Sequence, residues 1–189
     1  GLGIIIDGNL YYGKSGFSGE FGHFCMFENE VLCHCGKKGC LETEASGSAF
    51  HRILIERYRE GSNTILAGKL DSGEEISLGD LLEAVRKEDV LCIDILEKMG
   101  VNLGKGIAGL MNIFNPELVI LGGTLSLAGE YISLPIKSAI RKYSLNLVNQ
   151  DTEIKISKLG ERAGAFGACL LSRSKLLGIC LLYTSDAAD

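Results

Sequence analysis

Between Gly22 and Cys40 the chain reads GHFCMFENEVLCHCGKKGC, four cysteines and two histidines in nineteen residues. Soft donors at this density point to metal binding or to disulfides. Cys33 and Cys35 are one residue apart, which strains a local bridge. The first residues carry no basic stretch followed by an apolar one, so no export leader is indicated and reduced thiols are the expectation. Metal ligation suits the spacing better. Cys33-x-Cys35-x4-Cys40 can bring three thiolates to one point, and Gly36 and Gly39 give the backbone freedom of a tight knuckle. A fourth ligand has three nearby candidates: His23, Cys25 and His34. His34 lies between two ligating thiols and would have to fold back on them. His23, at the end of a predicted preceding strand (GHFCMF), approaches from the open side. Three cysteines and one histidine form a closed tetrahedral zinc set. The competing reading is a group of unligated, oxidisable thiols. Lys37 and Lys38, at the loop tip, offset the charge of three thiolates on one Zn²⁺.

The flanking segments must position this loop. IIIDGNLYYG is two short apolar runs about Asp7-Gly8, a hairpin signal because both residues accept positive φ. Beyond the loop, Ala49, Phe50, Ile53, Leu54 and Tyr58 recur near helical spacing, with Gly61 closing the helix. Residues 61–79 are polar and glycine-rich and read as a surface excursion. Ser77, with Asp80 three residues on, is a weak capping box for the next helix. DVLCIDILEKMGVNLGKGIAGLMNIFN has one apolar face, including Leu96, Met99, Leu103, Ile107, Leu110, Met111 and Phe114. Its Gly100, Gly104, Gly106 and Gly109 predict either close approach by another backbone or ligand, or a broken pair of helices. Pro116 stops this stretch, and Leu118–Leu121 reads as a strand buried on both faces. Gly122-Gly123 turns the chain into a helix over about 129–143. EIKISKLG alternates like a strand, and AGAFGACLLSRSKLL reads as a closing helix. This order predicts an α/β chain with helices packed on a sheet.

Composition removes several function classes. The chain has 189 residues, is 46% hydrophobic and carries a formal net charge of −5, with a pI near 5.3. That suffices for one full core and gives no basic surplus with which this segment would grip nucleic acid. No apolar run reaches the length of a transmembrane helix, so no membrane partner and a cytoplasmic location are expected. CLLYTSDAAD, residues 180–189, breaks the preceding helical pattern. It looks like the in-frame translation of a sequencing adapter and is expected not to be native.

GEFGH…CHCGKKGCLE resembles the signature of the ROK family of sugar kinases and sugar-responsive transcriptional repressors. The likeness runs from Gly1 to about residue 179. It includes GIIIDGNLYYG, the cysteine loop, GKGIAGLMNIFNPELVILGGTLS and KLGERAGAFGACLL. It implies an α/β fold, the C-terminal lobe of a ribonuclease H-like (actin/hexokinase-type) ATPase with an inserted zinc loop. It implies zinc on His23, Cys33, Cys35 and Cys40, and a sugar facing Glu20, His23 and Glu42. LGGT (Leu121–Thr124) resembles a nucleotide-contacting turn, with Gly122 and Gly123 as its glycines. The first phosphate motif, the catalytic aspartate and any DNA-binding helix-turn-helix would lie upstream of Gly1. Two activities are then open. The preferred one is the sensor domain of a repressor that binds a hexose or N-acetylhexosamine and reaches DNA only through that upstream domain. The late segment from IKSAIRKYSLN onward looks more like the regulators than the kinases. The other is a glucokinase-like sugar kinase, which alone would need ATP and Mg²⁺. Homo-oligomers are usual for such families.

Overall fold

The structure, a computed structural model, describes residues 1–178. The stretch read above as not native lies outside the described residues. The chain opens with a hairpin of β1 (Ile5–Ile6) and β2 (Asn9–Leu10), paired antiparallel with Ile5 opposite Leu10. Asp7 (φ +50°) and Gly8 (φ +76°) both take the left-handed conformation at the turn, as Asp-Gly predicted. GHFCMF does not form the expected strand. Phe21–His23 is a single 3₁₀ turn, and only Cys25 pairs as an isolated bridge, with Cys40. The turn is anchored instead by burial: Phe21 and Met26 pack onto the long central helix.

Four helices follow: α1 (Gly47–Arg59), α2 (Ala67–Ser72), α3 (Leu78–Arg86) and α4 (Val90–Phe114). Ser46 caps α1 by accepting from the Ala49 N–H at 3.1 Å. Ser77 and Asp80 form the complete capping box of α3. The 61–79 segment is not merely a surface excursion. It contains α2, and its Leu66 and Ile76 enter the core, since two apolar side chains suffice to pull a polar loop inward. Asp89, only 5% exposed, accepts from the backbone N–H groups of Cys92 at 2.9 Å and Ile65 at 2.7 Å. It therefore caps α4 and ties the preceding loop to it. Burial alone would raise its pKa, but these donors outweigh it and hold the carboxyl below its ordinary value.

α4 is one continuous helix of 25 residues, so the broken-pair alternative is excluded. Its glycines serve contact. α5 (Glu130–Tyr143) lies against α4. A Cβ on Gly104 would sit 2.6 Å from the Ile136 carbonyl oxygen and 2.7 Å from Ala139 Cβ; one on Gly100 would meet Pro135 Cβ at 2.8 Å. The helix ends where Asn115 turns left-handed, φ +42°, just before Pro116. Ile95, Leu96 and Met111 of α4 and Ile140 of α5 are sealed in one core with Phe50 and Leu54 of α1. Of the predicted α4 face, Phe114 is half exposed, because it lies on the last turn, beyond the α5 contact.

β3 (Leu118–Leu121) pairs in parallel with β4 (Glu153–Ile156). The link between them contains α5 and α6 (Asn146–Asp151). β3 is not buried on both faces. Val119 and Leu121 pack against the core, whereas Leu118 and Ile120 are 41% and 61% exposed. Strand geometry alternates the side chains, and among the described residues only one layer covers the pair. α7 (Ala163–Leu177) forms as the expected helix but buries none of its residues. Among the described residues, no helix is long and apolar enough to cross a membrane.

Candidate functional site

Nothing local in ENEVLCHCGKKGC favours a regular element, and the segment folds as a knuckle. Leu32 bridges Lys38, the Cys33 N–H donates to the Lys37 carbonyl at 2.8 Å, and the Gly36 N–H donates back to Cys33 at 2.9 Å. Gly36 has φ +83° and Gly39 φ +77°. A side chain on Gly39 would run into the Phe27 carbonyl at 2.0 Å, so only glycine fits. The Gly39 carbonyl accepts from the Met26 and Phe27 N–H groups, and the Leu41 N–H donates to Phe24. These bonds lay Cys40 beside the segment that carries His23.

The result is a cluster of four donors. One ligand atom each from His23, Cys33, Cys35 and Cys40 lie within 4.8 Å of one another. His23 Nδ1 is 3.5 Å from Cys33 Sγ, and Cys35 Sγ is 3.6 Å from Cys40 Sγ. A tetrahedral zinc with bonds of about 2.3 Å to sulfur and about 2.0–2.1 Å to nitrogen separates its ligands by about 3.8 Å (S···S) and about 3.6 Å (S···N). The two separations of 3.5 and 3.6 Å are close to those edges. The chemistry fits as well. Burial, then the neighbouring Cys35 and Cys33 sulfurs, pushes the Cys40 thiol up to about 12. The Lys37 backbone N–H draws the Cys35 thiol below its ordinary value. A cation held among these sulfurs would favour their thiolate forms. Cys25 and His34, the other candidates for the fourth position, are outside the cluster. Cys25 Sγ donates to the Lys38 carbonyl instead, at 3.6 Å.

His23 also looks outward. Its Nε2 is 3.7 Å from Glu20 Oε2, on a glutamate side chain that is 60% exposed. Glu42 occupies a second 3₁₀ turn, Leu41–Thr43, which packs against the first. Its Oε2 overlies Gly22, where a Cβ would come within 3.1 Å of it. Glu20 therefore lies beside His23, and Glu42 lies over Gly22, the residue before His23. Gly122 and Gly123 belong to a different element. They form the turn after β3, and Gly123 (φ +86°) precedes a 3₁₀ stretch over Thr124–Ala128. Both are exposed, with open space around Gly123.

Sequence reading missed the residues that fasten the site to the body. Arg52 of α1 donates to the Thr43 carbonyl at 2.7 Å and lies 3.6 Å from Glu44. Asn29 Nδ2 donates to the same Glu44 carboxylate at 2.6 Å. A Cβ on Gly106 would strike Phe21 Cζ at 2.6 Å and Met26 Sδ at 3.2 Å, so that glycine of α4 seats the segment bearing His23. The signal for Gly106 was present in the sequence as glycine density. Arg52–Glu44 and Asn29–Glu44 are tertiary pairs with no local pattern.

Comparison with known proteins fixes the family. The chain belongs to the ROK family, whose model matches residues 1–175. It is 36% identical over 168 residues to a glucokinase of Halalkalibacterium halodurans, covering 88% of this chain and 51% of that protein. A ROK family transcriptional regulator described as a homologue of the E. coli MLC protein superposes with a TM-score of 0.81 and 34% identity, over 95% of this chain and 44% of that one. A ROK glucokinase from Streptomyces griseus, solved with glucose and AMPPNP, superposes with a TM-score of 0.78 and 31% identity, over 91% and 56%. The chain therefore spans about half the length of these relatives, which include both kinases and regulators.

Proposed function

We propose that the described residues are the C-terminal lobe of a ribonuclease H-like, actin/hexokinase-type fold, and that this lobe is a zinc-ordered binding site for a hexose or N-acetylhexosamine. The observation that carries the reading is the two-sided use of His23. Nδ1 joins the thiol cluster while Nε2 turns toward Glu20, with Glu42 alongside. Zinc on His23, Cys33, Cys35 and Cys40 would fix the imidazole and, through Cys40, the turn bearing Glu42 two residues on. That role is to orient the residues that meet the ligand. Glu20 and Glu42 would accept hydrogen bonds from sugar hydroxyls, each worth about 1.5–3 kcal/mol for a charged acceptor. Fixing them in advance spares the ordering cost of binding.

The preferred output is regulation: the lobe would sense the sugar for a repressor whose DNA-binding domain lies elsewhere in the protein, through a shift between two arrangements. The regulator that superposes at a TM-score of 0.81 supports this reading. The glucokinase at 36% identity favours the second reading, an ATP-dependent sugar kinase. In that case Gly122 and Gly123 would let backbone amides approach a nucleotide. A base outside this segment would deprotonate the sugar hydroxyl for in-line attack on the γ-phosphate. A homo-oligomer is proposed with either.

The test is a coupled ATP-consumption assay on the full-length protein across glucose, N-acetylglucosamine and related sugars, run beside a thermal-shift titration. Sugar-dependent stabilisation without turnover is the expected result. Turnover near the usual kinase range, about 1–100 s⁻¹, would replace the regulator with the kinase. Neither stabilisation nor turnover with any sugar would remove the sugar site.

A further inference from the structure

A fourth sulfur, that of Cys25, lies at the edge of the cluster. Cys25 and Cys40 face each other as an isolated antiparallel bridge pair. The Leu41 N–H donates to Phe24 and the Met26 N–H to Gly39, on either side of the pair. That pattern defines a non-hydrogen-bonded cross-strand pair, whose Cα atoms lie about 4.5 Å apart with side chains on one face. A disulfide accepts Cα separations from about 4.4 Å upward, so this register can be bridged without unfolding the knuckle. Gly39 keeps the position open, since a Cβ there would fall 3.1 Å from Cys25 Sγ. Accessibility sets an order. Cys25 is exposed, whereas Cys33 and Cys40 are 4% and 0% exposed. Cys35 is exposed too, but its sulfur belongs to the donor set.

We propose that Cys25 is an oxidation site whose disulfide partner is Cys40, so that a peroxide exchanges the metal for a cross-strand bridge. The inference rests on the zinc reading above. Cys25 would attack the peroxide, forming a sulfenic acid and releasing one water. Cys40 would then leave the metal and attack that sulfur. Its S–S bond forms as the S–O bond breaks, and hydroxide leaves to take up a proton as the second water. Two thiols give up two electrons and two protons, and one hydrogen peroxide becomes two waters. Only His23, Cys33 and Cys35 would then remain to hold the metal. Because Cys40 holds the turn that bears Glu42, oxidation would also loosen the sugar-facing group, and a dithiol reductant would reverse it.

The experiment treats zinc-loaded, full-length protein with stoichiometric hydrogen peroxide. A chromophoric chelator follows zinc release, and non-reducing peptide mass spectrometry maps disulfides. Release of one zinc with a Cys25–Cys40 bridge is expected, with zinc binding recovered after reduction. Cys25→Ser should bind zinc as the parent does and release it at least tenfold more slowly. Equal release rates in parent and Cys25→Ser, or a bridge confined to Cys33, Cys35 and Cys40, would overturn the proposal while leaving the metal site standing. Reduced protein that holds no zinc would overturn the metal reading, and this inference with it.

Discussion

Residues 22–44 and the α4–α5 junction are ordered by different physics. At the junction, side chains such as Ile95, Leu96, Met111 and Ile140 are fully or nearly fully buried, each contributing about 1.5–3 kcal/mol of transfer free energy. Glycines let two backbones meet there. In the loop, Cys33, Cys40, Leu41 and Thr43 are sealed, while Phe24 and Leu32 are 61% and 67% exposed. Backbone bonds, the polar contacts of Arg52 and Asn29 with Thr43 and Glu44, the seat of Met26 on Gly106 and one cluster of donors hold the rest. One region folds because it excludes water, and the other would fold because four ligands share an ion. On the zinc reading, the body would keep most of its stability without the site, whereas the geometry of the site would depend on a bound metal.

Removing the metal tests that contrast most directly, and has the largest expected effect. With a strong chelator, the amides of Met26, Phe27, Cys33, Gly36 and Leu41, all hydrogen-bonded within the loop, should lose hydrogen-exchange protection by roughly a hundredfold. That is about 2.8 kcal/mol at 1.4 per decade, well within the apparent 10–16 kcal/mol of zinc bound to small peptides. Amides of α4 and α5 should not change. Full loop protection in chelated protein would mean that its backbone bonds suffice, and the contrast would dissolve.

Two alanine substitutions on one helix sharpen the other side. Gly104→Ala places a Cβ 2.6 Å from a backbone oxygen of α5, which cannot move without displacing that helix. Overpacking of this kind costs about 1–3 kcal/mol, more than the ~1 kcal/mol gained in helix propensity. Gly109 has nothing within 4 Å of a Cβ, so Gly109→Ala should stabilise by up to about 1 kcal/mol. Urea midpoints should move in opposite directions. A neutral Gly104→Ala would mean that α4 and α5 are not in contact in solution.

The same division explains what could be read from the sequence. Asp7-Gly8, the Ser77–Asp80 box and the glycines of α4 are local signals, and each appears where its chemistry requires. That His23, Cys33, Cys35 and Cys40 cluster was legible from their residue types and spacing. The strand expected over GHFCMF failed because its apolar residues serve a tertiary contact, Phe21 and Met26 on Gly106, rather than an alternating face. Leu118–Leu121 looked doubly buried because an apolar run does not say which of its faces finds a partner. Leu66 and Ile76 were hidden by polar neighbours. Glu44 is engaged by Arg52 and Asn29 from opposite sides in sequence, a link that no periodicity announces.

The smallest effect belongs to the cap of α3, and it measures the body alone. The Asp80 carboxylate accepts from Lys69 Nζ at 2.7 Å and from the Ser77 N–H at 2.9 Å and hydroxyl at 2.8 Å. Lys69 first, then Ser77, holds its pKa down to about 2, against an ordinary value of 3.8. The folded value lies below the unfolded one, so this carboxylate contributes its full stability above about pH 4. The contribution is lost as the pH falls toward 2. Asp80→Asn should therefore lower the urea midpoint at pH 6, and the gap to the parent should narrow by pH 2.5. Ser77→Ala should cost about 1 kcal/mol and leave the Lys69 pair to carry most of the remaining pH dependence. Acid also strips metal from thiolates and imidazole, so both variants are measured in chelated protein, where only the helical body reports. A gap between parent and Asp80→Asn that stays constant from pH 6 to 2.5 would show that the Asp80 carboxyl is not held ionised in the folded state.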